Sequence, residues 1–143
     1  MKRRQWKIEE ECRLIFEDIY KKPFPSVWKS MRDARIRGRL QLDGYNEELK
    51  IAFEFNGRQH YEYPNHWHKS KREFKAQQFR DTFKREKCKE LGITLIEIPY
   101  TERLRLRKYI INALQLYIVY SIILSINIAC LQNLCLSKYS HVQ

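Results

Sequence analysis

The stretch Leu40–Tyr61, LQLDGYNEELKIAFEFNGRQHY, decides how this chain folds. Leu49–Phe55 is dense in apolar and aromatic residues of the kind that fit a pleated surface, and reads as a strand. Leu40–Asp43 reads as a shorter first strand, and Gly44–Glu48 carries the turn chemistry that would join the two as a hairpin. The second strand ends at Asn56-Gly57, where the backbone must turn or admit a close neighbour. Period-two spacing puts Leu49, Ile51, Phe53 and Phe55 on one face, and Lys50, Ala52 and Glu54 on the other. Glu54 is thus a carboxylate inside a run that otherwise reads as buried, and it needs a cation, a donor or a metal ion. Strand pairing would bring Asp43 to the same sheet edge, and two converging carboxylates make a hard-oxygen site suited to Mg²⁺. The same residues also admit a plainer account, an Asp-Gly turn and a Glu paired with Lys or Arg.

Upstream, Lys7–Tyr20 has Ile8, Cys12, Ile15, Phe16 and Ile19 at helical spacing, with Pro23 and Pro25 stopping the helix. Ser26–Ser30 fits a short strand. Residues 31–39 form a basic loop whose Arg32, Arg35, Arg37 and Arg39 suit phosphate contacts. Downstream, Phe74–Leu91 reads as a long helix closed by Gly92. On it Gln77, Asp81, Lys84 and Cys88 share one face, which either looks toward the sheet edge or forms a salt-bridged exterior. Ile93–Ile98 reads as a strand ended by Pro99, with Thr101 as the cap of a further helix. This order gives an α/β fold, a small mixed β-sheet flanked by helices.

The 143 residues allow a hydrophobic core. The net charge of +11 is lopsided: residues 1–108 hold 27 of the 28 Lys and Arg and all 17 acidic residues. That is the footprint of a polyanion-binding domain, with nucleic acid as the first partner to expect, acidic membrane second and simple solubility third. The expected organisation is a basic domain over 1–108 and an apolar C-terminal helix or tail over 109–143. Four cysteines without metal-ligand spacing fit a reducing compartment. The basic, non-apolar start fits an intracellular protein, in cytoplasm or nucleus, that is not secreted. Tyr109–Ser137 carries no charge and would pass a hydropathy screen for one membrane span, although Asn112, Gln115, Ser121 and Asn127 interrupt it.

The text LDGYNEELKIAFEFNGRQHY, then PNHWH, then RDTFKREKCKELGITLIEIPY resembles the PD-(D/E)xK, or restriction-endonuclease-like, nucleases. Within them it is most similar to the branch related to very-short-patch repair endonucleases. The resemblance covers roughly Glu9 to Tyr100. It implies an αβββαβ core and a metal-dependent DNA endonuclease, with Asp43 and Glu54 as ligands of Mg²⁺, for which Mn²⁺ substitutes. Asn56 stands where the superfamily usually has Lys. Gln59 or His60 would take over the task of orienting or deprotonating water, and Lys84 is a candidate for a migrated Lys. One of Glu9, Glu10 or Glu11 sometimes completes such sites.

His60 has the side chain suited to general acid–base work near neutral pH; its plainer account is a hydrogen-bonding histidine at the sheet edge. His66 and His68 have a spacing open to zinc but lack a second ligand pair, so His68 reads better as a phosphate-binding or second catalytic histidine. Tyr61, Tyr63 and Trp67 lie among Arg58, Lys69, Lys71 and Arg72, an aromatic and basic mixture able to stack on bases, or simply to pack a loop. Arg80 suits a phosphate, and Gln77 and Asp81 read as helix stabilisers. DNA is the expected partner, with no small-molecule cofactor and a homodimer as one route to double-strand cutting. The alternative function is a catalytically inactive nucleic-acid-binding domain with the nuclease fold, motivated by Asn56.

Overall fold

The computed structural model describes residues 2–29, 40–66 and 70–139. Among the described residues it is an α/β structure of three α-helices and small β-sheets, dividing into two compact units, residues 1–110 and 111–143. The basic loop with Arg35, Arg37 and Arg39, and the positions of Trp67, His68 and Lys69, lie outside the described residues.

In the first unit the opening helix, α1, runs Lys2–Tyr20, and its apolar stripe buries Cys12, Ile15 and Phe16. Strands β1 (Val27–Lys29) and β2 (Leu40–Leu42) form an antiparallel pair, Val27 opposite Leu42. Strands β3 (Gly44–Asn46), β4 (Ile51–Asn56) and β5 (Thr94–Pro99) form a second, mixed sheet with β4 in the middle. The expected hairpin is therefore corrected: β4 pairs with Gly44–Asn46, the segment read as turn, in the register Gly44 opposite Phe53. The chain simply continues past Asp43 and re-enters strand geometry, so Asp43 sits at the junction of two strands rather than at the end of one. The turn lies further on, where Lys50 takes a left-handed φ of 53° and the Asn46 side chain accepts from the Leu49 amide at 2.9 Å.

β4 and β5 are parallel and so need a crossover, which α2 (Lys71–Glu90) supplies. Its start is earlier than the apolar pattern implies because Ser70 caps it. The Ser70 hydroxyl accepts from the Glu73 amide at 3.2 Å, while the Glu73 carboxylate accepts from the Ser70 amide at 3.3 Å. Gly92, at φ 65°, ends the helix turn, as read from the sequence. Thr101 is not a helix cap: it lies within a short 3₁₀ turn, Tyr100–Glu102, and α3 (Leu106–Tyr139) begins beyond it.

All six residues of β4 are buried, and their alternation sorts them between two helices. Phe53 stacks on Phe16 of α1, ring centroids 4.8 Å apart. Ala52 packs on the opposite side with Phe83 and Cys88 of α2, together with Leu42, Tyr45 and Ile93. Glu54 and Asn56, in phase with Ala52, must then face α2. The second unit is the helical segment after residue 110; Leu116–Leu124 is largely solvent-exposed despite its apolar character. Among the described residues, no helix is long and apolar enough to cross a membrane.

Candidate active site

Glu54 is 8% exposed, and its charge is met from two directions. Lys84, on the buried side of α2, donates to Glu54 Oε2 at 2.7 Å and to the Gln41 carbonyl at 2.8 Å. The Asp43 backbone amide donates to Glu54 Oε1 at 3.3 Å. In return the Asp43 carboxylate takes the Phe55 amide on Oδ2 at 2.9 Å. The two acids thus cross-link the β2–β3 junction to β4, and the cation each needs on burial is Lys84.

This neighbourhood strains both acids toward their neutral forms. Burial, then the adjacent Asp43 charge, push the Glu54 carboxyl up to about 7, even with Lys84 pulling against them. Burial likewise raises Asp43, opposed by the Phe55 amide and by the charges of Lys84, His60 and Arg13. Arg13 was not among the residues singled out from the sequence. It carries the contribution of α1: it donates to the Asp43 carbonyl at 3.0 Å and pairs with Glu10 at 3.0 Å, and it also donates to the Phe24 carbonyl.

His60 lies in a 3₁₀ turn, Arg58–His60, directly after β4. Its Nδ1 is 2.8 Å from Asp81 Oδ2, and Gln77 donates to Asp81 Oδ1 at 2.8 Å. Burial raises the Asp81 carboxyl, but the His60 hydrogen bond and charge and the Gln77 amide outweigh it, leaving a net shift downward. The shared face of Gln77, Asp81, Lys84 and Cys88 therefore looks toward the sheet edge. Asp81, read with Gln77 as a helix stabiliser, does accept from Gln77 one turn back on its own helix, and its other oxygen meets His60. Cys88 is core, its thiol pushed up to about 11 by burial.

The other expected residues sit as follows. Asn56, 6% exposed, donates to Glu97 Oε1 at 3.1 Å. Glu97, not singled out from the sequence, is opposite Glu54 in the β4–β5 ladder. Arg85 donates to its two oxygens at 3.3 Å each. The Gln59 side chain folds over Gly57, where a Cβ would come 2.4 Å from its Oε1. Arg58 is exposed and paired with Glu62, Lys71 is exposed at the start of α2, and Arg80 is exposed and donates to Gln77 at 2.7 Å. His66 is exposed. Among the described residues, no group of three or more His, Cys, Asp or Glu side chains is arranged to hold a metal ion. The available protein donors are the carboxylate pair, which is the sparse set Mg²⁺ commonly uses with water and phosphate completing its shell.

Three curated viral proteins are similar to this chain. Uncharacterized protein 033L of Invertebrate iridescent virus 3 is 38% identical over 97 residues, which are 67% of this chain and 50% of that protein. Uncharacterized protein 307L of Invertebrate iridescent virus 6 is 48% identical over 62 residues, 43% of this chain and 32% of that one. Uncharacterized protein 094L of Frog virus 3 (isolate Goorha) is 52% identical over 97 residues, 66% of this chain and 63% of that one. The chain thus spans between about a third and less than two thirds of the length of these relatives. No family model matches the chain, and no solved structure matches it.

Proposed function

We propose that this chain is a metal-dependent DNA endonuclease. The observation that carries the reading is the buried Asp43–Glu54 pair with Lys84 on Glu54 Oε2 at 2.7 Å. Two carboxyls driven upward by burial, Glu54 also by the Asp43 charge, gain from a divalent cation between them, and Asp43 Oδ1 has no hydrogen bond among the described residues. Asp43 and Glu54 would hold Mg²⁺ or Mn²⁺. Bound there, the ion supplies charge neutralisation at the phosphoryl oxygens and a more acidic water.

The chain's own groups account for the rest. Lys84 is a fixed ammonium at the carboxylate pair, able to orient a water or neutralise a phosphoryl oxygen, which answers the missing Lys at Asn56. With ionised Asp81 accepting from Nδ1–H, His60 keeps Nε2 as a base for the attacking water's proton. Arg58, Lys71 and Arg80 are exposed cations suited to holding the DNA backbone. The resemblance to PD-(D/E)xK nucleases and the basic charge support the same reading.

The test is cleavage of supercoiled plasmid and of branched DNA in Mg²⁺, Mn²⁺ and EDTA, comparing wild type with Glu54→Gln. Metal-dependent cleavage lost in the variant is expected. Salt-sensitive binding without cleavage in any metal would overturn turnover and leave a DNA-binding domain.

A further inference from the structure

Beside the His60–Asp81 pair lies a half-open cavity of about 510 Å³, between the later residues of β4 and β5 and the middle turns of α2. It falls within the range of about 300–1,000 Å³ typical of small-ligand sites and far exceeds the roughly 30 Å³ of one water. Of its lining, the proposed cleavage chemistry uses only His60 and Asp81. We infer that it receives a single unstacked nucleobase of the bound strand, so that the preferred substrate carries an unpaired nucleotide beside the scissile phosphate. This rests on the nuclease reading and specifies its substrate.

The walls are fixed in advance. Buried Asn56 holds Glu97, Arg85 grips both Glu97 oxygens, and Arg85 also donates to Thr82 Oγ1 at 3.2 Å. This chain of hydrogen bonds ties the strand ends to α2 and lines the cavity with carboxylate, guanidinium and hydroxyl groups at set positions. The amide of Gln78 adds an adaptable donor and acceptor. Such a mixture matches the edge of a base, which alternates donors and acceptors. It does not match a phosphate, because Glu97 and Asp81 both line the cavity and would repel one. Tyr61, 49% exposed and backed by the Tyr100 ring 6.1 Å away, supplies an aromatic surface for a base to stack on. His60 and Asp81 belong both to this cavity and to the candidate active site, so a base lodged here lies against the histidine of that site. Taking a base out of a duplex costs a few kcal/mol, least where it is already unpaired.

The experiment uses two duplexes of equal length, one fully paired and one with a single bulged 2-aminopurine, titrated in EDTA with the full chain. Binding about 10-fold tighter to the bulge, with 2-aminopurine emission quenched on binding, is expected from one base–aromatic stack. Tyr61→Ala and the conservative Glu97→Gln are expected to reduce that preference to about 2-fold or less, with paired-duplex affinity unchanged. Gln78→Ala, at an exposed helix position, provides a variant with little risk to folding and is expected to weaken the bulge preference as well. Equal binding to both duplexes without quenching, alongside metal-dependent cleavage of the paired one, would overturn the base pocket and leave the nuclease intact. A bulge preference unchanged in all three variants would overturn it too, by placing the recognition elsewhere. No DNA binding at all would overturn both readings.

Discussion

Lys84 Nζ on α2 lies 2.7 Å from Glu54 Oε2 on β4, a contact between residues 30 positions apart that fastens the crossover helix to the central strand. Both side chains are largely withdrawn from water, Lys84 at 16% and Glu54 at 10% exposure. Removing one partner of such a pair leaves the other uncompensated. Lys84→Met is expected to destabilise the chain by about 3 kcal/mol at pH 8, measured by urea denaturation, and by less at pH 5, where Glu54 is protonated. Cleavage is expected to fall about 100-fold or more in single-turnover assays, as for loss of one preorganised charge. An unchanged rate would remove Lys84 from the chemistry.

The acids set the pH dependence of the metal-free chain. Glu54 is pushed up to about 7, above its ordinary value of 4.5, so the folded chain holds that proton more tightly than the unfolded chain. Stability is therefore expected to be fuller below pH 4.5 and to decline as pH rises through about 7, with Asp43, also raised, acting in the same sense. Thermal melts in EDTA from pH 5 to pH 8 check this, and Glu54→Gln should flatten the slope. Mg²⁺ should raise the melting temperature more at pH 8 than at pH 5, because deprotonated ligands bind it.

In the nuclease reading Asp81 would serve the cleavage step through His60. Asp81→Asn is expected to lower cleavage by about 10- to 100-fold while affinity for fully paired DNA in EDTA stays unchanged, and to alter the pH–rate profile through the histidine. A variant with the wild-type profile would return Asp81 to a purely structural part.

Binding should weaken steeply with salt, since cationic contacts release counterions from DNA. Alanine at Arg58, Lys71 or Arg80 is expected to reduce the slope of log K against log salt by about one each, without changing sequence preference. A flat response in the wild type would contradict the nucleic-acid reading.

Gly44 faces Phe53 across the ladder, and a Cβ there would fall 2.0 Å from the ring's Cε1. Gly44→Ala should cost about 1–3 kcal/mol in urea denaturation through forced repacking, with loss of Asp43 alignment as the visible consequence in cleavage.

Much of this was legible in sequence because it is local. The apolar run Ile51–Phe55 required a buried strand, a carboxylate within it required a partner, and Pro23, Gly92 and Pro99 marked where elements stop. The strand pairing was not legible. Gly44-Tyr45-Asn46 has turn composition, yet Gly44 is there because the Phe53 ring needs the space, a requirement set by a residue nine positions away. The site residues with chain-local signals, Asp43, Glu54 and His60, could be named in advance. Arg13 and Glu97 could not, since each acquires its place from a partner on another element. Asp81 was visible on the right helix face, but only the turn that delivers His60 gives that face its use.

The exchange between Asp43 and β4 has a further consequence. Because the Asp43 carboxylate receives the Phe55 amide while the Asp43 amide is received by Glu54, the same two side chains that would bind metal also act as rivets between backbone segments. A relative without any cleavage activity would still need both acids for folding. Their retention in a relative is therefore no evidence of catalysis, whereas loss of either would signal a rebuilt sheet edge.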